Sequence, residues 1–405
     1  MSEDLLENLS KLFSHEQQMW LLGAGASYES NLPLVKGLTE RVRRILADTP
    51  FEGDEHPDTT IGHVIEGLRA DIGATATIED ILDHLADHLS MARRSASNMV
   101  LVHVLAPGAP EAEARSEQFK FDELEIVCTR ILKVIRDTLR WGYVHADDPA
   151  EIKEGSPDAP ILRIDHHEKF IDVIFAELRA GRELRVQPID FFTTNYDTLI
   201  EDALALKGVP YSDGFRGGAV AYWDSATNDG TATRQDGIRA TVTKIHGSID
   251  WARVGEQIVR RRISDPYPEG DSDLLIYPQA LKYDLTQREP FDSLFYRFRT
   301  SLNRSPQVLL VCGYGFGDDH VDQEMELALK KADSQLTLIA FLRSRNDKPE
   351  KWQEQEFGER VYTITADGIW RGSEGPFLEP SAGQLHNWWT FTGMTSFLRN
   401  PEGAL

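Results

Sequence analysis

An α/β fold, built on a mostly parallel sheet with helices on both faces and carrying a helical insertion, is what this sequence predicts. Three observations lead there. Short apolar runs that end in glycine or polar residues alternate with helix-periodic segments at both ends of the chain. From about residue 51 to 160 strand signals are nearly absent and helical periodicity takes over. Two apolar runs, "MWLLGAG" and "QVLLVCGYGFGDD", open into glycine-rich turns, as a strand does when it hands over to a helix beside a ligand.

The elements follow in order. "EDLLENLSKLF" sets Leu5, Leu6, Leu9, Leu12 and Phe13 on one helical face. "MWLLGAG" reads as a buried strand and turn, and Pro33 is expected to start the helix "LVKGLTERVRRIL", since proline suits a first helical turn. "IGHVIEGL", "TIEDILDHLADHLSMARR" and "FDELEIVCTRILKVIRDTLRWGYV" are the helices of the insertion, with "APGAPEAEA" as a loop between them. "HEKFIDVIFAELRAG" is a helix that Gly181 is expected to stop. Strands are then expected in "VQPIDFFTTNYD", "ATVTKIHGSIDW", "DLLIYP", "PQVLLVCGYGFGDDH", "QLTLIAFLR" and "RVYTITA", with a helix over residues 323–331.

Composition bounds the function. A formal net charge of -23 argues against sequence-independent nucleic-acid binding, which needs a basic face. It leaves room for a small anion held by backbone amides. Two cysteines, Cys128 and Cys312, make neither a disulfide framework nor a four-cysteine zinc site, and a reducing cytosol is the natural setting. No apolar run approaches a membrane span.

Ligands of open α/β sheets sit beyond the carboxyl ends of the strands. Four groups of residues fall there. Gly23, Ala24, Gly25, Ala26 and Ser27 would let backbone N–H groups approach a pyrophosphate, or would simply pack a tight turn. Tyr28 stands where a dinucleotide fingerprint needs its third glycine, and no Gly-Lys-Ser/Thr makes a P-loop. Thr193, Thr194, Asn195, Tyr196 and Asp197 place polar groups at the end of a buried run, where Thr194 or Asn195 could also cap a helix. His246 ends a strand directly before Gly247 and Ser248, a place for a catalytic histidine or for a packed, satisfied one. Gly313, Tyr314, Gly315, Phe316 and Gly317 make a second close approach, or a turn in which Asp318 or Asp319 caps the next helix.

These pieces, in this order, resemble the sirtuin NAD-binding fold. The glycine/alanine/serine loop resembles the family's first NAD loop, "TTNYD" its threonine–x–asparagine–x–aspartate motif, "IHGS" the motif of the catalytic histidine, and "CGYGFGD" a later NAD-contacting loop. The resemblance spans residues 19–48 and roughly 165–320. It implies a Rossmann-like sheet of sirtuin type, with residues 1–50 and 161–405 as the NAD-binding Rossmann domain and 51–160 as a helical insertion subdomain. Two departures matter. The cysteines for a sirtuin zinc module are missing, and Leu34, Val35 and Lys36 follow Pro33 where sirtuins carry a Phe-Arg pair. The chain looks more like the sirtuin-like NAD hydrolases of bacterial antiphage defence, whose stand-alone members pair with a HerA-type ATPase.

The resemblance implies a chemistry. NAD+ is the substrate, and no metal is expected. Nicotinamide leaves neutral from a cationic precursor, so the bond can break through an oxocarbenium-like ribose without a general acid. Asn195 would position the attacking water, Asp197 would hold the carboxamide, and His246 would be the general base. Gly23 to Ser27, Thr194, Gly247, Ser248, Gly313, Tyr314 and Gly315 would contact NAD. The expected function is NAD+ hydrolysis that depletes the cell in abortive infection. The alternatives are a protein deacylase and a non-enzymatic subunit that binds NAD or ADP-ribose. A cytoplasmic homo-oligomer is expected, with a HerA-type ATPase as partner and neither nucleic acid nor membrane.

The remaining features read as structural. His84 and His88, with Asp80 and Asp87 nearby, lack the zincin glutamate and are expected on a solvated helix face. His166 and His167 are expected at the surface, residues 260–262 in a solvated loop or partner contact, and Trp388 and Trp389 in packing of a C-terminal helix.

Overall fold

The computed structural model describes residues 2–51, 56–179, 187–225, 237–254, 257–261, 273–276, 289–304 and 307–404. Helix α1 (Ser2–Phe13) buries Leu5, Leu6, Leu9 and Phe13, the stripe its spacing predicts. Strand β1 (Gln18–Leu22) is buried throughout. The turn after it is itself helical, α2 (Ala24–Tyr28), and the long helix α3 (Val35–Leu46) begins two residues later than expected. Pro33 lies outside it. Before it Asn31 takes the left-handed conformation, φ 64°, and Leu34 is the extended cap residue.

The insertion holds α4 (Ile61–Ile72), α5 (Ile78–Arg94), β2 (Met99–Val104), β3 (Arg115–Lys120), α6 (Phe121–Trp141) and the two-residue strands β4 (Tyr143–Val144) and β5 (Lys153–Glu154). Thr60 and Thr77 start α4 and α5 with reciprocal capping boxes. Its apolar faces meet in a core of their own, which also takes in Leu38 and Val42 of α3. The near-absence of strands is corrected here. "APGAPEAEA" joins β2 to β3, an antiparallel hairpin with Met99 opposite Lys120. Only Val102 and Val104 of β2 are buried, so its alternation is too short to stand out from helical text. His88 is not on a solvated face either: Asp80 and Asp87 are exposed and His84 partly so, but His88 is 8% exposed.

The chain then runs through α7 (Asp165–Asp172), which continues as a π-helical turn over Val173–Leu178. Gly181, its expected stop, lies outside the described residues. His167 is buried, against the surface expectation, because α7 packs this face on Phe391. β6 (Ile189–Thr193), α8 (Leu199–Leu206), β7 (Tyr211–Ser212), β8 (Phe215–Gly217), β9 (Val220–Trp223), β10 (Ala240–Lys244), β11 (Gly247–Val254), β12 (Gln257–Arg261) and β13 (Asp273–Ile276) follow. The rest is α9 (Phe291–Leu302), β14 (Gln307–Cys312), α10 (Asp319–Lys330), β15 (Leu336–Phe341), α11 (Asp347–Gln353), β16 (Val361–Thr365), β17 (Gly368–Arg371), β18 (Glu374–Phe377) and α12 (Phe391–Arg399).

The main sheet has nine strands in the order β18-β17-β16-β15-β14-β1-β6-β10-β7. All its neighbours pair in parallel except β16–β17 and β17–β18. The pleat of β1 serves two cores, Trp20 and Leu22 on one face, Met19 and Leu21 on the other, as a sheet covered on both faces requires. "ATVTKIHGSIDW" is not one strand. After β10 the chain turns at Gly247, φ +86°, and β11 joins a second, antiparallel sheet in the order β13-β11-β12-β9-β8. "DLLI" therefore belongs to that sheet, and residues 277–278 of the expected strand lie outside the described residues. Arg260 sits on β12 in an ion pair with Asp213 rather than in a solvated loop, while residue 262 is likewise outside. Trp388 packs in the core, just ahead of α12. No described helix is long and apolar enough to cross a membrane.

Candidate active site

From β1 the strand sequence runs toward β6 on one side and begins again at β14 on the other. This is a topological switch point, where open sheets leave a crevice beyond the strand ends. A cleft of about 400 Å³ lies there. It is lined by Ala24 and Ser27 after β1, Thr194, Asn195 and Asp197 after β6, His246 after β10, and Gly313, Tyr314 and Gly315 after β14. Four segments far apart in sequence thus deliver their candidate residues to one place.

The two glycine turns form the floor by packing on each other. A Cβ on Gly23 would stand 2.5 Å from the Gly313 carbonyl oxygen, and one on Gly25 2.7 Å from Gly313 Cα. Gly313 itself has φ +68° and would place a Cβ 2.1 Å from Ala26 N. Only glycine fits such backbone-to-backbone approach. Gly23 N donates to Cys312 O, Gly25 N to Gly313 O and Ala26 N to Gly23 O. These amides therefore close the turn, and the loop presents Ala24 and Ser27 to the cleft.

Asn195 ties the second segment to the first. Its Nδ2 donates to Gly23 O at 2.9 Å and to Ser27 Oγ at 3.0 Å, and Ser27 Oγ donates to Asp197 Oδ2 at 2.8 Å. Neither Thr194 nor Asn195 caps α8; Asp197 Oδ1 accepts from Leu199 N instead. Beneath them Lys244 forms a buried ion pair with Glu201 and donates to Asp197 O, which fixes the turn. Burial pushes the Glu201 carboxyl above its ordinary range.

His246 is buried, and its Nε2 lies 2.8 Å from Asp318 Oδ2. An ionised carboxylate can only accept, so a neutral imidazole in this pair carries its proton on Nε2 and its lone pair on Nδ1. Asp318 also caps α10, its Oδ1 accepting from His320 N and Val321 N. The capping alternative was legible in the sequence; the bond to a histidine 72 residues away was not. The Tyr314 hydroxyl is turned inward, donating to Asp322 Oδ1, and burial raises its pKa well above the usual range.

Gly23, Gly25, Ala26, Gly247 and Ser248 do not line the cleft. Gly247 turns the chain between sheets, and buried Ser248 donates to Tyr196 O from behind the wall. Sequence reasoning also missed the far wall. Thr77, the cap of α5, Glu79 and Asp80 within it and Leu139 of α6 belong to the insertion, and Tyr196 Oη donates to Glu79 Oε1 at 2.8 Å across the gap. Among the described residues no lysine or arginine lines the cleft, whereas Glu79, Asp80, Asp197 and Asp318 do. Negative walls suit a ligand part that carries or develops positive charge.

No curated protein matches the chain. Residues 190–362 match the family model described as the SIR2-like domain. Domains of that kind are NAD-dependent enzymes, and NAD-related activity is what the match supports in general. The match takes in the asparagine, histidine and second glycine segments and joins a mostly parallel nine-stranded sheet. The chain thus has a sirtuin-like, Rossmann-type α/β fold that carries a match to the SIR2-like domain over residues 190–362.

Proposed function

We propose that the protein hydrolyses NAD+ to nicotinamide and ADP-ribose, as an NAD-depleting effector of bacterial antiphage defence. The observation that carries the chemistry is the convergence of Ser27, Asn195, Asp197 and an Asp318-held His246 on one cleft. Both amide hydrogens of Asn195 are donated inward, so Oδ1 is the group left to accept from a water. Nδ1 of His246 takes a proton from that water as its oxygen bonds to C1 of the ribose, while the C1–N bond breaks and nicotinamide leaves neutral. Asp197 receives the carboxamide. The carboxylates around it stabilise the cationic ribose as the bond to nicotinamide lengthens. The pyrophosphate rests against Ala24, Gly313 and Gly315, which carry no charged side chain. The defence role, a homo-oligomeric state and a HerA-type ATPase partner rest on the sequence resemblance alone.

The test is nicotinamide release from NAD+ by purified protein, alone and with its assembly partner. Asn195→Ala and His246→Ala should each lower turnover by roughly a hundredfold or more. Wild-type turnover in both variants would overturn the assignment. Release of nicotinamide only when an acetyl-lysine peptide is present would instead make it a deacylase.

A further inference from the structure

Three potential ligands meet on the insertion, away from the NAD cleft. His84 and His88 lie one turn apart on α5, so their imidazoles share a helix face. Asp71, near the end of α4, faces them. One ligand atom from each of the three falls within 4.8 Å of the others. His84 Nε2 stands 3.5 Å from Asp71 Oδ2, and the two imidazole rings are 4.7 Å apart.

The second observation is what these groups lack. His88 is 8% exposed, and neither of its ring nitrogens has a hydrogen-bond partner among the described residues. The buried Nε2 of His84 has none either. Buried polar atoms are nearly always satisfied, and each orphan costs the desolvation of its group. One nitrogen from each ring, neither hydrogen-bonded, and one carboxylate oxygen thus make a set that an added cation would complete.

We propose that Asp71, His84 and His88 bind a divalent transition-metal ion of the zinc class. Two imidazoles and one carboxylate are the donors that zinc takes, whereas magnesium and calcium prefer oxygen alone. Bonds of about 2.0–2.2 Å require the ligands to draw together somewhat from their present spacing, which side-chain rotation on two neighbouring helices allows. Three protein ligands leave a fourth position for water. His103, on β2, already holds the carboxylate: its Nδ1 is 2.6 Å from Asp71 Oδ1. That is the outer contact by which a metal ligand is usually oriented. The ion would tie α4 to α5, the helix whose first turn forms the far wall of the cleft.

The experiment uses the full chain, stripped with chelator and titrated with Co²⁺ and Zn²⁺ by visible absorption and calorimetry. One ion per chain should bind, with the strong visible bands of tetrahedral cobalt, displaced by zinc and not by magnesium. Binding should weaken at least about a hundredfold in His84→Gln and Asp71→Asn, and about tenfold to a hundredfold in His103→Gln. His84 is partly exposed and tolerates replacement; thermal melts without metal check that each variant is folded, and at one zinc concentration the melting temperature should rise most in wild type, less in His103→Gln and least in His84→Gln and Asp71→Asn. Wild-type protein that binds no cobalt at a single site would overturn the proposal. So would folded His84→Gln and Asp71→Asn variants that bind as tightly as wild type.

Discussion

Asp318 shows how one side chain can serve two elements. Its Oδ1 holds the first turn of α10, and its Oδ2 holds the imidazole of His246. Asparagine in its place could keep the cap but could present an N–H where the histidine needs an acceptor. Asp318→Asn is therefore expected to lower kcat for NAD cleavage by roughly a hundredfold or more, through the wrong imidazole tautomer. KM and the melting temperature should move little, and steady-state kinetics beside a thermal melt separate this from a mere structural loss. The residue also marks the edge of what a sequence tells. "TTNYD", "IHGS" and the two glycine turns are legible because each ends an apolar run. The Asp318–His246 pair arises only when β10 and β14 are placed on the two sides of β1 and β6.

At the scale of elements, the main sheet was legible and the second sheet was not. Strands β1, β6, β14, β15 and β16 are buried along almost their whole length and read as continuous apolar runs. β8 and β9 are short and half-exposed, and β2 and β3 alternate over too few residues, so local text does not distinguish them from loops and helices. The burial of His88 is illegible for a related reason, since a helix face is solvated or buried by what packs on it, here α4. The glycine floor gives this scale its prediction. Gly313→Ala adds a methyl group at φ +68° and 2.1 Å from Ala26 N, with backbone on both sides and nothing soft to yield. It should cost about 2–4 kcal/mol, read as a lowered urea midpoint.

The whole molecule carries a built-in sensitivity to acid. His167 is fully buried between α7 and Phe391, with Nδ1 3.3 Å from Ser30 Oγ, and burial lowers its pKa from 6.5 to about 4. The folded state binds this proton less readily than the unfolded chain does. Its contribution is therefore intact above pH 6.5 and is lost progressively as pH falls toward 4, by about 3 kcal/mol at about 1.4 kcal/mol per pH unit. His167→Gln should flatten that part of the stability profile. Urea unfolding of both proteins between pH 7 and 4 measures the difference, which cancels the titration common to both.

The cleft has one wall from the sheet and one from the insertion, bridged by the Tyr196–Glu79 hydrogen bond. The insertion wall is backed by one hydrophobic core, which also takes in Tyr196 and Leu199, and Tyr314 after β14 belongs to another. A molecule lying in it is consequently mortar as well as ligand. Its binding free energy is also cohesion between the two cores, so occupancy makes them unfold more nearly as one body.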